Sequence, residues 1–296
     1  MLARFLIVLN DIIKIIDSLP GNRPMKLAQA LLFISGATFL SGCIVVANPS
    51  HANYHSQQEL ILDAKMLKVL DVEAGAGSLV ISGSEHVTEI TVVADIYTEN
   101  SDADDFELSL TESGQRATLV AKINSSGFWL GDSPHIDIKV TMPSHLMLQV
   151  DDGSGALNIS NIASAVAVKD GSGELTIKGI KGGLEINDGS GGLYVSEIIG
   201  NITIVDGSGE IEINEVNGNL DINDGSGSIF VKAVSGSANI EDGSGDLTLR
   251  KVDGLVTIND GSGDIDVEQA GALKIIESGS GGLRVKKVKG GFEIDS

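Results

Sequence analysis

The chain has few of the residues on which catalysis, metal binding and covalent scaffolds depend. Its single Cys cannot form an internal disulfide, which excludes a disulfide-stabilised fold. All five His precede residue 146, so the region 146–296 offers no imidazole to a catalytic or metal site. Basic residues number 20 against 41 acidic ones, and the resulting charge of −21 argues against a nucleic-acid partner, because phosphates require a basic surface.

Motifs of common enzymes are also missing. The chain contains no Gly-x-Ser-x-Gly elbow, no His-Glu-x-x-His and no phosphate-binding Gly-x-x-x-x-Gly-Lys. Acidic pairs such as Asp151 and Asp152 are better explained as residues of solvated strands than as glycosidase carboxylates. We therefore expect a protein that is not an enzyme.

The N-terminal region has the features of an export signal. Residues 25–42 begin with Met25 and Lys26, continue as an apolar run and end in small residues, which is the order of an export signal. The run is too short for a transmembrane helix. Its ending, Leu-Ser-Gly-Cys, resembles the lipobox of bacterial lipoproteins. This resemblance implies cleavage between Gly42 and Cys43 and lipidation of Cys43.

The regions on either side of this signal are given separate roles. Residues 1–24 are interpreted as an upstream extension from a start codon assigned too early, since Asp11, Lys14 and Pro20 disfavour a membrane helix there. Residue 44 is Ile, whereas Asp after the lipidated Cys usually retains lipoproteins of Gram-negative bacteria in the inner membrane. The resemblance therefore implies an outer-membrane anchor, with residues 43–62 as a tether.

The remainder of the chain is an internal repeat. The sequence Asp-Gly-Ser-Gly recurs seven times at intervals of 18 residues, beginning at Asp152, Asp170, Asp188, Asp206, Asp224, Asp242 and Asp260. Each unit divides into two halves of nine, as Leu175 and Ile177 are followed by Leu184 and Ile186. Alternation at period two predicts a strand with one buried face, and the Gly and Asp residues mark turns.

We therefore predict an all-β fold, a parallel β-solenoid (β-helix) of 18-residue coils with two strands each over residues 151–296. Three hexapeptides per coil are rejected, because the required sixth positions hold Gly, Ser or acidic residues. One unit, 260–277, departs from the pattern and predicts a bulge near Ile276. Residues 63–150 contain longer alternating runs, for which we expect wider, less regular coils.

Several segments together resemble a known bacterial family. They are the export signal, the stretch Gly-Ser-Leu-Val-Ile-Ser-Gly at 77–83, Met-Pro-Ser-His-Leu at 142–146 and the Gly-Ser-Gly repeats. This combination is similar to the β-strand-repeat "putative adhesin" family, whose domain has no assigned function. The similarity covers about 63–296, and it implies no catalytic residue. It implies an adhesin-like binding or surface-display module on a lipid anchor, or alternatively a structural or envelope-stress lipoprotein of the periplasm. A carbohydrate-active enzyme is the least favoured class, since regular coils offer no long loops to form a cleft.

The repeated aspartates should stack about 4.8 Å apart in neighbouring coils, where their charges repel. Three outcomes are open. The Ser and Gly amides two and three residues on could donate to each carboxylate and lower its pKa. Calcium could bind between coils at these seven positions, although the second half of each unit lacks further ligands. Alternatively, repulsion could dominate and raise the pKa values.

The last repeat carries a cluster of cations in an otherwise acidic body: Arg284, Lys286, Lys287 and Lys289. Charged side chains, Lys above all, discourage an exposed strand edge from pairing with another chain. We therefore predict that these four protect the edge of the last coil. No cofactor other than the calcium considered above is expected. The expected partners are the membrane through the anchor and an unidentified envelope protein or polysaccharide.

Overall fold

The computed structural model describes residues 44–45, 54–98, 105–124 and 133–295. The predicted signal peptide, its cleavage site at Gly42 and the predicted lipidation site Cys43 lie outside these residues. All 23 named elements of the described part are β-strands. No helix in this part is long and apolar enough to cross a membrane.

The N-terminal strands are β1 Ile44–Val45, β2 Tyr54–Asp63, β3 Val69–Ala76, β4 Leu79–Ser84, β5 Glu89–Thr98, β6 Phe106–Ser113, β7 Arg116–Ile123 and β8 His135–Pro143. The repeat then supplies β9 Met147–Ser154, β10 Leu157–Ser160, β11 Val166–Asp170, β12 Gly173–Ile180, β13 Leu184–Asp188, β14 Gly191–Ile199, β15 Ile202–Asp206, β16 Gly209–Asn217, β17 Leu220–Asp224, β18 Ile229–Val234, β19 Ala238–Asp242, β20 Leu247–Asp260, β21 Ile265–Glu277, β22 Leu283–Val288 and β23 Phe292–Ile294.

Each coil of the repeat has one strand on either side of a shared apolar core. In the coil built from β12 and β13, Leu175 and Ile177 point inward from the first strand, and Leu184 and Ile186 point inward from the second. All four are no more than 3% exposed, while the side chains between them face outward. Aliphatic residues at every second position produce this arrangement, since successive side chains of a strand point to opposite faces.

The coils stack in a parallel register of 18 residues. Leu175 pairs with Leu193 on one side, and Leu184 pairs with Ile202 on the other. The stack therefore has two ladders: ladder A runs from β10 through β12, β14, β16 and β18 to β22, and ladder B from β9 through β11, β13, β15, β17 and β19 to β23. The predicted all-β parallel β-solenoid with two strands per coil is confirmed, with about eight turns.

The N-terminal region is less regular than the repeat and combines parallel coils with antiparallel strands. One regular coil, β3 and β4, stacks in parallel on β9 and β10. The next coil, β7 and β8, stacks in parallel on β3 and β4 and has a longer connection between its strands. The remaining strands pair antiparallel, β1 with β2, β2 with β5, β5 with β8, and β6 with β7. The expectation of wider, less regular coils for residues 63–150 is therefore confirmed for β7 and β8, whereas β5 and β6 pair antiparallel and form no coil of their own. Alternation of side chains specifies a strand and its buried face, but it does not specify the direction of pairing.

The predicted tether is also shorter than expected. All ten residues of Tyr54–Asp63 pair with β5, from Tyr54 opposite Thr98 to Asp63 opposite Glu89. The expectation of a tether over 43–62 is therefore wrong from Tyr54 onward. Polar residues such as Gln57 and Gln58 made this segment look like a linker, but long-range pairing places it in the sheet.

The predicted register slip in the unit 260–277 is confirmed. Ile258 pairs with Ile275, whereas the next residue, Asn259, pairs with Glu277. Ile276 is thus the extra residue of a bulge, and it is 45% exposed. The bulge restores the register that is lost earlier in the same pair of strands, between Val252 and Leu255.

Candidate functional site

A repeated bend connects the two strands of each coil. On ladder A the inward-facing residues of a coil are two and then three positions apart, as Leu175, Ile177 and Ile180 are. The residue directly before the third of them has a left-handed backbone. Its φ lies between 57° and 71° in eight successive coils, at Asn161, Gly179, Glu197, Glu215, Ala233, Lys251, Gln269 and Lys287. The ladder pairing skips this residue, so the strand bends there and the chain turns toward ladder B.

The stacked bends form a groove along the solenoid, which we name the corner groove. It has a volume of about 970 Å³ and reaches from Gly83 to Lys289. Seven coil steps separate the first and last bends, which makes it roughly 34 Å long at about 4.8 Å per step. Its floor includes the buried side chains of Ile162, Ile198 and Val216. The groove is therefore long and narrow, with an apolar floor.

Charged side chains of both signs line the rim of the corner groove. Four carboxylates and three ammonium groups are present: Glu85, Glu197, Glu215, Asp253, Lys181, Lys251 and Lys289. Lys181 lies 4.0 Å from Glu85, and Lys289 lies 3.9 Å from Asp253. Within the described residues, Glu215 and Lys251 form no ion pair. These two side chains are thus available to contact a ligand.

The repeated aspartates lie inside the solenoid, on the opposite corner of each coil. Asp188 continues the inward alternation of Leu184 and Ile186, and its side chain is therefore buried. All seven members of this aspartate ladder are between 0% and 5% exposed: Asp152, Asp170, Asp188, Asp206, Asp224, Asp242 and Asp260. Sequence reasoning placed them at turns and missed their burial, although their position two residues after a buried Ile was the available signal.

Each aspartate is only partly satisfied by hydrogen bonds. In five coils the Ser amide two residues on donates to Oδ1, at 3.0–3.3 Å, as Ser190 does to Asp188. The predicted second bond, from the Gly three residues on, is wrong, because Gly173 donates to the Ser190 carbonyl oxygen of the next coil. Oδ2 has no protein partner in any of the seven, and Oδ1 has none in Asp152 and Asp170.

Burial raises the pKa of all seven aspartates. The pKa rises to about 6 for Asp152, Asp170, Asp224 and Asp242. Loss of solvation is the largest cause, and the charge of a neighbouring aspartate adds to it in most coils, as Asp170 does for Asp152. The Ser and Gly amides lower the pKa by less. Local hydrogen bonding is therefore present but is not the dominant effect.

The calcium hypothesis gains no support from this geometry. Among the described residues, no three His, Cys, Asp or Glu side chains are grouped so that they could hold a metal ion. Calcium prefers six to eight oxygen ligands, and the side chains around the ladder are aliphatic. Calcium binding at the seven aspartates stays a prediction.

The four predicted edge-protecting cations lie on the last coil, where three contact acidic residues of preceding coils. Arg284 lies 3.8 Å from Asp266, Lys287 lies 2.8 Å from Glu268, and Lys289 again pairs with Asp253. Lys286 helps to lower the pKa of Asp266, for which Arg250 is the main cause. These cations offset nearby acids, and their protection of the edge stays a prediction.

The protein is thus an all-β stack of parallel coils, and the corner groove runs along it. The sequence pattern of the Toastrack DUF4097 family matches residues 67–294, and the chain belongs to this family. This confirms the resemblance inferred from the Gly-Ser-Gly repeats and the early strands. No curated protein matches the chain.

Several solved structures are similar to this chain at low identity. They include a putative cell adhesion protein from Clostridium sporogenes, with 14% identity over 78% of this chain and 99% of that chain and a TM-score of 0.30. A putative lipid binding protein from Parabacteroides distasonis has 15% identity over 80% and 97%, with a TM-score of 0.45. A putative adhesin from Bacteroides fragilis has 13% identity over 80% and 97%, with a TM-score of 0.29.

Proposed function

We propose that this protein is a non-enzymatic, lipid-anchored module of the cell envelope that binds an extended, uncharged polysaccharide in the corner groove. The observation that carries the proposal is the shape of this groove. A volume of about 970 Å³ spread over roughly 34 Å leaves a cross-section on the order of 30 Å². Such a cross-section admits a single extended chain, whereas a compact small molecule would leave most of the groove empty.

The charge distribution favours a neutral polymer. The whole chain carries a charge of −21, which repels a polyanion at long range. The rim of the groove is nearly balanced, and its carboxylates, ammonium groups and amides can accept from and donate to sugar hydroxyls. Ile199, which lines the groove and is 55% exposed, offers an apolar contact to the C–H face of a sugar. Among the described residues that line the groove there is no Phe, Trp or Tyr, so we expect modest affinity per sugar.

The lipid anchor would hold this groove at a membrane. The signal-like segment ending in Gly42 and Cys43 supports acylation at Cys43, and the absence of Asp at residue 44 supports an outer-membrane destination. Ile44 and Val45 already pair with Gln57 and Ser56 of β2, so a lipid on the preceding residue would lie directly beside the sheet.

The proposal is tested by binding of the full-length protein to chitin and to a neutral linear β-glucan. Replacing Glu215 and Lys251 by Ala removes one carboxylate and one ammonium group from the rim, and we expect at least about tenfold weaker binding for two lost polar contacts. A matched control replaces Glu212 and Lys232, which lie on the exposed outer face of ladder A, and should bind as the parent does. Equal binding by both variants, or no binding to either polymer, would reject the groove as a polysaccharide site.

A further inference from the structure

The aspartate ladder is an unusual arrangement for a solenoid core. Each Asp pairs in register with the Asp of the next coil, as Asp170 does with Asp188 and Asp206 does with Asp224. Each side chain is at least 95% buried and has an Oδ2 without a protein partner. Seven unpaired carboxylates at this depth would each lose solvation and repel their neighbours at about 4.8 Å. Something must neutralise part of this charge.

We propose that the seven aspartates form a proton-binding ladder, in which a neutral carboxylic acid in one coil donates a hydrogen bond from Oδ2 to a carboxylate in the adjacent coil. The proton comes from solvent and binds one carboxylate oxygen, so the acid becomes neutral and its neighbour gains a hydrogen-bond donor. Acids and carboxylates would alternate along the stack. One proton shared by two neighbouring aspartates would then give a hydrogen bond to an oxygen of each.

A proton fits this position better than a metal ion does. The Ser amides already occupy Oδ1 in five coils, so each of those coils has one free carboxylate oxygen, and Asp152 and Asp170 have two each, fewer than a divalent cation requires. The surroundings are the aliphatic core, including Ile186 and Ile222, and they supply no further ligands. A proton needs only one acceptor on each side, and the next coil supplies it.

The charges that face the ladder all favour proton uptake. Besides the neighbouring aspartates, Asp151 acts on Asp152 at one end, and Glu277 acts on Asp260 at the other. In the described part of the chain, the causes that shift the pKa values of the ladder include no cation. The folded pKa values therefore lie above the free value of 3.8, at about 6 where the shift is largest.

The upward direction of these pKa shifts determines how stability depends on pH. Above pH 6 the buried carboxylates are charged and oppose folding. As pH falls from about 6 to about 4, the folded chain binds protons that the unfolded chain does not, so the protein becomes more stable. Below about pH 4 both states are protonated, and the gain is complete. Each such aspartate lowers the unfolding equilibrium constant by up to about tenfold per pH unit in this window.

Asn is a suitable test residue, because its amide has the shape of a carboxylic acid, is neutral and can donate to the next coil. We expect the variant with Asp206→Asn and Asp242→Asn to melt at a higher temperature than the parent at pH 8 and to gain less on acidification to pH 5. The control changes two exposed acids, Glu210→Gln and Asp221→Asn, and should keep the parent's dependence on pH. A variant that melts lower at pH 8 with an unchanged pH dependence would overturn the proposal.

Carboxyl carbon-13 titration of the parent protein gives an answer that does not depend on the variants folding. The buried aspartates should titrate at higher pH than the free value of 3.8, with Asp152, Asp170, Asp224 and Asp242 near pH 6. Titration of all aspartates near pH 4 would reject the ladder. Melting in calcium and in chelator at pH 7 identifies the occupant: equal melting temperatures are expected, and a calcium-dependent increase that the double Asn variant loses would replace the proton by a metal ion.

Discussion

The turn residue Gly191 shows how little freedom a single position has between two stacked coils. Its φ is +140°, and a Cβ atom built there would lie 1.6 Å from the Gly173 carbonyl oxygen of the preceding coil. Both the backbone conformation and the space exclude a side chain. The obstructing atom is backbone that already pairs between coils, so it cannot move aside cheaply.

We therefore expect Gly191→Ala to destabilise the protein by roughly 2–4 kcal/mol, from backbone strain and overpacking together. Gly183 provides the control, since a Cβ there meets no atom within 4 Å and its φ is not in the left-handed region. Urea unfolding of both variants measures the difference. Similar midpoints for the two would show that the turns are softer than this geometry implies.

Asp188 shows what a residue's own neighbours could have indicated. Its place two residues beyond Ile186 continues the inward alternation, so its burial follows from the local pattern once the strand is extended by one pair. The sequence alone favoured a turn, because Asp-Gly is common in turns. The structure shows that the residue serves both roles, as the last inward position of a strand and as the acceptor for the turn's Ser amide.

At the scale of elements, strand β2 is fastened to the sheet by a stack of three rings. Tyr97 of β5 lies between His55 of β2 and His135 of β8, with ring centroids 4.6 Å apart on each side. His55 Nε2 also lies 3.0 Å from an oxygen of Asp95. This cluster holds β2 against β5 and β8.

Tyr97→Ala should loosen β2 while the coils remain folded. We expect faster amide hydrogen exchange across residues 54–63, by about tenfold for the loss of roughly 1–1.5 kcal/mol of aromatic contact. Thr91→Ala, on the same outer face of β5 and away from the rings, is the control. Unchanged exchange in the Tyr97 variant would show that backbone pairing alone holds the strand.

The last strands present the open edges of both ladders, because β22 and β23 pair only with β21 among the described strands. Replacing Lys286, Lys287 and Lys289 by Thr should expose these edges to pairing between molecules. We expect oligomers on size-exclusion chromatography at concentrations where the parent elutes as one species. Replacing Lys169, Lys178 and Lys232, which lie away from the edge, removes the same charge and should have no such effect. An unchanged elution profile for the edge variant would show that these lysines do not protect the edge from pairing.

At the scale of the whole molecule, the proposed anchor connects the solenoid to a membrane. Cys43→Ser should abolish labelling by a radioactive fatty acid and leave the precursor at its unprocessed mass, because both cleavage and acylation would require the thiol. Replacing Ser41 by Ala keeps the small residue of the site and should be processed normally. Fatty-acid labelling of the Cys43 variant would show that Cys43 is not the acylated residue.

Local chemistry allowed much of the regular region to be predicted from the sequence. The coil length, the two strands per coil and the bulge at Ile276 each depend on residues a few positions apart, whose alternation and turn preferences specify them directly. The family resemblance followed from the same segments. None of these conclusions required knowing which distant strands pair.

Tertiary structure alone decided the remaining features. Antiparallel pairing of Tyr54–Asp63 with β5 joins strands about 35 residues apart, and alternation within each strand is compatible with either direction. The corner groove arises only when eight bends stack, and the residues at the bends, from Glu197 to Ala233 to Lys251, share no chemical type. The raised pKa values of the aspartates likewise come from burial and from neighbours 18 residues away. Features that depend on stacking cannot be read from one coil, because each coil acquires its core, its groove and its charges from the coils beside it.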